Sequence, residues 1–249
     1  MTLTDTSTVE HNTATRNAPE QRTTNVDAIP ELAEHWKRLD LASILRRPAA
    51  FVSVSQSNSL YKPGGVQYGE RHDLRGSLEA TVTVAKAARA RKNFVSFNWV
   101  GYSLFRHDYP QTEFDRVQYS SWVEGHDLTP EQVAWDDALV PELRELVEPG
   151  DLEVYEQGLQ CAFVGTELPL HLVRKRVEAI VFTGIHLDWC VEGNVRAARD
   201  AGYLPIVIGD ATAAHKPETE AASFQRINQF FAPVISSQRF LELLDEGEN

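Results

Sequence analysis

Cys161 and Cys190 are the two cysteines of the chain, and Cys190 stands where a thiol can act as a nucleophile. The run AIVFTG, residues 179–184, is a short apolar block of the kind buried in a parallel sheet, and VEGNVRAARDAGY then repeats apolar residues at helical spacing: Val191, Val195, Ala198 and Ala201. Cys190 falls between the two, at the mouth of the expected helix. Unpaired N–H groups and the positive dipole end of a helix favour an anion beside them. The position is therefore expected to push the thiol toward thiolate, the form of sulfur that attacks carbon. Strand, sharp turn, nucleophile and helix is the arrangement that exposes a catalytic side chain at the carboxyl end of a sheet. A small buried hydrophobe, the common role of a free cysteine, fits the same residue.

The elements that must position Cys190 alternate along the chain. AAFVSVSQ reads as a strand ending near Ser55, SLEATVTVAKAARAR as a helix and NFVSFNWV as a second strand. VPELRELV is a helical turn, GDLEVYEQ a third strand, LPLHLVRKRV a helix and AIVFTG a fourth strand. After the helix that follows Cys190 come YLPIVIGDA, the helix ETEAASFQRINQFF and a last strand APVIS. Strands separated by helices imply an α/β domain: three α/β/α layers, doubly wound around a mostly parallel sheet. Residues 101–148, with Trp122 and Trp135, read as a long irregular excursion, the kind of segment that shapes a pocket or an interface. Phe97 and Trp99 end the second strand at the same edge of the sheet as Cys190, and with Ile185 they are expected to line the substrate site, although strand aromatics also serve as core.

Residues 1–27, rich in Thr and Asn, read as a disordered tail, and residues 28–249 as one domain. In IPELAEHWKRLDLASILRR, Leu32, Trp36, Leu39 and Ile44 form a helical stripe, expected as a short amphipathic helix or two. The formal net charge of −12 argues against a nucleic-acid surface. Two cysteines are too few for a disulfide framework, and no apolar run reaches the ~18 residues of a membrane span. A cytoplasmic protein with no membrane partner is expected. No Gly-rich phosphate loop follows any strand, and YKPGG does not open a phosphate-binding helix, so no cofactor is expected.

Three segments, FVSVSQSNSLYKPGG, CAFVGTEL and TGIHLDWCVEGNVRAARDAGYLPIVIGDATAA, in this order and at these separations, resemble the isochorismatase-like cysteine hydrolases. The resemblance covers roughly residues 50–237. It implies a cysteine nucleophile at Cys190 that hydrolyses a small amide or ureide. It also implies an oxyanion held by the backbone N–H groups of His186 and Cys190, with a cis peptide at Ile185–His186. The family's general-base aspartate falls on Ser55, a second acidic residue on Ser59, its lysine on Gln157, and a serine on Cys161. Neither a hydroxyl nor a carboxamide can replace a carboxylate and an ammonium at neutral pH. Yet the two charges have been removed together, which avoids stranding one member of a buried pair at about 3–5 kcal/mol. The metal-binding Asp and His of the nicotinamidases have no counterpart in FNWVGYSLFRHDYP, so no metal is expected.

Ser55 and Gln157 are then expected to orient substrate. His186, four residues before Cys190, is the residue available to replace the missing base. If only its backbone matters, the side chain points away. Asp188 is expected to cap the helix, Glu156 to face away from Gln157 by strand alternation, and His107 to be a solvated loop residue. Two functions remain open: a hydrolase of a small C–N substrate working through Cys190, and a catalytically silenced family member that binds a ligand or scaffolds a partner. The resemblance and the apolar helix faces suggest a homo-oligomer, a dimer or tetramer.

Overall fold

The computed structural model describes residues 26–69, 74–106, 110–156 and 161–246. Of the tail expected over residues 1–27, residues 1–25 lie outside the described residues, as do His107 and Gln157, while Val26 and Asp27 belong to a 3-10 turn. Six strands form one parallel sheet: β1 Ala49–Val54, β2 Phe94–Gly101, β3 Leu152–Tyr155, β4 Ala179–Ile185, β5 Leu204–Ala213 and β6 Val234–Ile235. Their spatial order is β3-β2-β1-β4-β5-β6, every pairing parallel. The helices are α1 Leu41–Leu45, α2 Asn58–Tyr61, α3 Leu74–Arg89, α4 Glu113–Val123, α5 Pro130–Asp137, α6 Pro141–Arg144, α7 Leu168–Arg174, α8 Glu192–Asp200, α9 Pro217–Phe230 and α10 Ser237–Asp245.

β1 and β4 are buried along their whole length because helices cover both faces, which is why their sequences read as unbroken apolar runs. Alternation sends Phe51, Phe97, Trp99, Val181 and Ile206 to a core under α1, α3 and α10. It sends Val52, Val54, Val100, Phe182 and Val207 to a second core under α7, α8 and α9. The chain leaves β1 toward β2 on one side and β4 toward β5 on the other, so strand order reverses between β1 and β4. The carboxyl ends of two such strands border the crevice where open α/β sheets hold ligands. Ser55 follows β1, Ile185 ends β4, and His186 through Cys190 follow it.

Three expectations change. Residues 101–148 hold α4 and α5 as regular helices, each opened by a capping box: Thr112 with Asp115, and Thr129 with Gln132. The N-terminal stripe, expected as a short amphipathic helix or two, forms 3-10 turns and one short α-helix. Val26–Ala28 and Trp36–Arg38 are single 3-10 turns, Asp40 caps the five-residue α1, and Leu39 is exposed. Beyond β6, Ser236 caps α10, whose Phe240, Leu243 and Leu244 close the first core. No helix among the described residues is long and apolar enough to cross a membrane.

Glu192, at the start of α8, receives Arg226 of α9 and Arg196 one turn on. These cations hold its carboxyl below the usual glutamate range against the opposing effect of burial. A depressed folded-state pKa stabilises the fold above the unfolded-state value and ceases to do so as pH falls through the folded one. Glu192→Gln is therefore expected to cost about 1–2 kcal/mol at neutral pH, the half-exposed arginines keeping the figure small. Urea titrations of the two proteins should converge as the medium becomes acidic enough to protonate Glu192.

Candidate active site

After β4 the chain makes a cis peptide at Ile185–His186 and one π-helical turn, Leu187–Val191, that runs directly into α8. The amides of Trp189 and Val191 both donate to the His186 carbonyl, which winds the turn tightly. Asp188 does not cap the helix. Its carboxylate accepts from the His215 amide at 2.7 Å and the Thr219 hydroxyl at 2.6 Å, tying the turn to the start of α9. Cys190 lines a narrow cleft with a free volume of about 20 Å³ and is 8 % exposed.

The walls of that cleft come from five places in the chain. Ser55 and Leu60 follow β1; Tyr102 follows β2; Glu156 follows β3; Ile185, His186 and Trp189 belong to the turn; and α4 supplies Tyr119 and Trp122 from above. Trp122 meets Trp189 edge-on with ring centroids 5.0 Å apart, and Tyr119 meets Trp122 at 5.5 Å. The excursion between β2 and β3 thus roofs the cleft with aromatic rings.

Glu156 and Ser55 line the cleft together with Cys190. Glu156 is buried, contrary to the expectation that it faces away. The reason is its register: Val154 packs in the same core as Cys190 and Val191, and two residues further on Glu156 points to that side too. Its amide extends the β2–β3 ladder by bonding Gly101 O at 2.8 Å, so alternation still applies one residue past the strand. Asn194, on α8, fixes it there. The Asn194 Nδ2 group donates to Glu156 Oε1 at 2.7 Å and to the Cys190 carbonyl at 2.8 Å, while its Oδ1 accepts from the Ala162 amide at 2.9 Å.

Burial pushes the Glu156 carboxyl up to about 8, against the restraining contacts of Asn194 and Cys190. The Cys190 thiol is pushed well above its ordinary range, by burial first and then by the neighbouring Glu156 charge. The thiolate expected from the helix start is therefore not the resting form. A helix terminus is worth about 0.3–1 kcal/mol, less than one pKa unit, whereas full burial moves a group by up to ~3–5 units. Two groups still favour the anion: the Ser55 hydroxyl and the thiol's own backbone N–H. Ser55 sits at φ +53°, and its buried Oγ has no hydrogen-bond partner in this arrangement. Burial likewise raises Tyr119 to about 12, with added repulsion from Cys190, Asp115 and Glu156.

Of the residues expected at the site, Ser55, Ile185, His186 and Cys190 line one cleft. His186 is buried and packs edge-on against His215, ring centroids 5.0 Å apart. Phe97 and Trp99 are not in the cleft. Alternation turns them to the opposite core, where Trp99 meets Phe51 at 5.5 Å and donates to Asp151 at 3.0 Å, and Phe97 lies under the Arg89 guanidinium at 3.5 Å. Ending a strand fixes which edge a residue occupies and leaves its face to the register. Sequence reasoning missed Glu156, Asn194, Tyr102, Tyr119 and Trp189. The usable signal for Glu156 was Val154 at i−2. Among the described residues no group of three or more His, Cys, Asp or Glu is arranged to hold a metal.

Over 111 residues the chain is 36 % identical to the ureidoacrylate amidohydrolase RutB of Cronobacter turicensis, a match covering 44 % of this chain and 47 % of that protein. The chain spans about half the length of the curated relatives it matches. Among solved structures, a cysteine hydrolase from Pseudomonas syringae pv. phaseolicola superposes with a TM-score of 0.66 at 20 % identity, covering 82 % of this chain and 94 % of that one. An N-carbamoylsarcosine amidase from Thermoplasma acidophilum superposes with a TM-score of 0.58 at 22 % identity, covering 76 % and 96 %. Residues 49–239 match the model of the isochorismatase domain, and with most of its length inside that match the chain belongs to the isochorismatase family.

Proposed function

We propose that the chain is a cysteine hydrolase that cleaves a C–N bond of a small uncharged amide or ureide, with Cys190 as the nucleophile. The observation that carries this reading is the position of the thiol. It is the floor of an aromatic-walled cleft at the switch point of the sheet, beside a buried serine hydroxyl that has no partner of its own. The amidohydrolase relatives support the reaction class. Sulfur adds to the carbonyl carbon, and the oxyanion takes hydrogen bonds from the backbone N–H groups of His186 and Cys190, each worth about 10²–10³ in rate. The Ser55 hydroxyl donates to the substrate, and Gln157 helps orient it. The leaving nitrogen departs protonated, and water releases the acyl group from sulfur.

The cleft indicates the charge of the substrate. Its described lining residues include four aromatic rings, one carboxyl group and no Lys or Arg. Among the described residues, a carboxylate-bearing substrate would meet Glu156 without a compensating Lys or Arg. In steady-state assays of ammonia or amine release, uncharged aromatic or aliphatic amides are expected to exceed carboxylated analogues of equal size by about 10–100-fold in kcat/KM. Equal or better turnover of the carboxylates would contradict this assignment.

A further inference from the structure

The family aspartate that would accept the thiol proton is Ser55 here, and a serine hydroxyl cannot hold that proton at neutral pH. A replacement must touch the sulfur, be ionisable and be held in place. The groups around Cys190 are Ser55, Glu156, the turn with His186, and Tyr119 of the roof. Among the described residues that line the cleft with Cys190, Glu156 supplies the carboxyl group, and one Asn194 amide group bonds that carboxyl and the Cys190 carbonyl together.

We infer that Glu156 is the general base of the reaction, arriving from the end of β3 instead of β1, and that Asn194 is its positioning residue. The inference rests on the hydrolase reading. In the first half-reaction the Glu156 carboxylate takes the Cys190 proton as the S–C bond forms. The acid then gives that proton to the leaving nitrogen as the C–N bond breaks, which leaves a thioester and a free amine or ammonia. In the second half, Glu156 takes a proton from water as its oxygen adds to the thioester carbon. The C–S bond breaks, the proton returns to sulfur, and the acyl group leaves as its acid, or as the carbamate that loses carbon dioxide when the substrate is a ureide.

The surroundings of Glu156 determine how this depends on pH. Cys190 of the turn, Cys161 of the preceding loop and Tyr119 of α4 face it as titratable groups, His186 lies in the same cleft, and Asn194 and Ser55 face it uncharged. None of the groups that shift its titration is a cation, and its carboxyl is raised to about 8 by burial. The working base is the carboxylate, so kcat/KM should climb as pH rises through about 8. A base of such pKa transfers protons efficiently at near-neutral pH.

The test compares wild type with Glu156→Gln, which is isosteric and still accepts from Asn194, and with Glu156→Asp. Two readouts are taken: the pH profile of amide turnover, and the rate of Cys190 alkylation by iodoacetamide, measured by peptide-resolved mass spectrometry. Glu156→Gln is expected to lose about 10²–10⁴-fold in kcat, with little change in KM and no rise through the alkaline limb. Its Cys190 should alkylate faster than wild type at alkaline pH, because the negative neighbour that opposed the thiolate is gone. Glu156→Asp should retain the pH limb at reduced kcat. Turnover within about threefold of wild type, or joint loss of turnover and alkylation in both variants, would overturn the inference. Full turnover in Cys190→Ala would instead overturn the hydrolase reading. If no amide is turned over, the alkylation arm decides alone whether Glu156 couples to the thiol.

Discussion

Replacing Cys190 with alanine is expected to lower turnover of any amide or ureide substrate by about 10⁴–10⁶-fold, the loss seen when a nucleophile is removed from a catalytic group that works as a unit. The fold should survive. Cys190 packs beside Val191 and Val195 in the core under α7, α8 and α9, and losing one sulfur from such a position costs about 1 kcal/mol. Circular dichroism and the urea midpoint would thus stay near those of wild type while activity disappears. Cys161 provides an internal control. Its sulfur accepts from the Phe163 amide at 3.3 Å, and burial raises its pKa, so Cys161→Ala should change kcat by no more than a few-fold. Retention of activity in Cys190→Ala would remove the nucleophile from the account.

Gly184→Ala is expected to be the most destabilising single change near the cleft. Gly184 sits at φ +106°, and a Cβ there would lie 2.1 Å from the Val54 carbonyl oxygen and 2.5 Å from the Val54 nitrogen. The obstacle is the backbone of the paired central strand, where Val54 and Gly184 are in register, so no side-chain rotation relieves it. The unfavourable dihedral and the overpacking each cost about 1–3 kcal/mol. Together they take a large part of the ~5–15 kcal/mol that stabilises a typical domain. A thermal midpoint lowered by about 10 °C is expected from that loss. Because Val54 leads directly into Ser55 and Gly184 into the turn that carries Cys190, turnover should fall as well. A variant that melts within about 2 °C of wild type would show that the two strands can separate there without cost.

The parts of the site that could be read in the sequence are those that neighbouring residues determine. The apolar block of β4, the sharp turn and the spacing of α8 lie within about twenty consecutive residues, and they place Cys190 without reference to the rest of the chain. Ser55 was legible through the family resemblance, which sets it in the place of the base aspartate just after the buried strand β1. Glu156 was not. Its direction depends on the register of the four residues of β3, whose Leu152 and Val154 pack into the core that holds Cys190. Phe97 and Trp99 failed on both counts: β2 continues to Gly101, which leaves Phe97 in mid-strand, and both side chains turn to the opposite core. The resting state of the thiol was misread because a helix terminus is visible in a sequence while burial and an adjacent carboxyl group are not. The helices α4 and α5 did carry a local signal in their capping boxes, Thr112 to Asp115 and Thr129 to Gln132. Polar composition masked it.

The measurement that tests the central claim most directly is to quench the protein during turnover of small uncharged amides and ureides and weigh the Cys190 peptide by mass spectrometry. The account predicts an acyl or carbamoyl mass on Cys190 while substrate remains, absent once it is consumed, with Cys161 unmodified throughout. Turnover with Cys190 unmodified at every time point, or no turnover of any member of the panel by the folded protein, would contradict it.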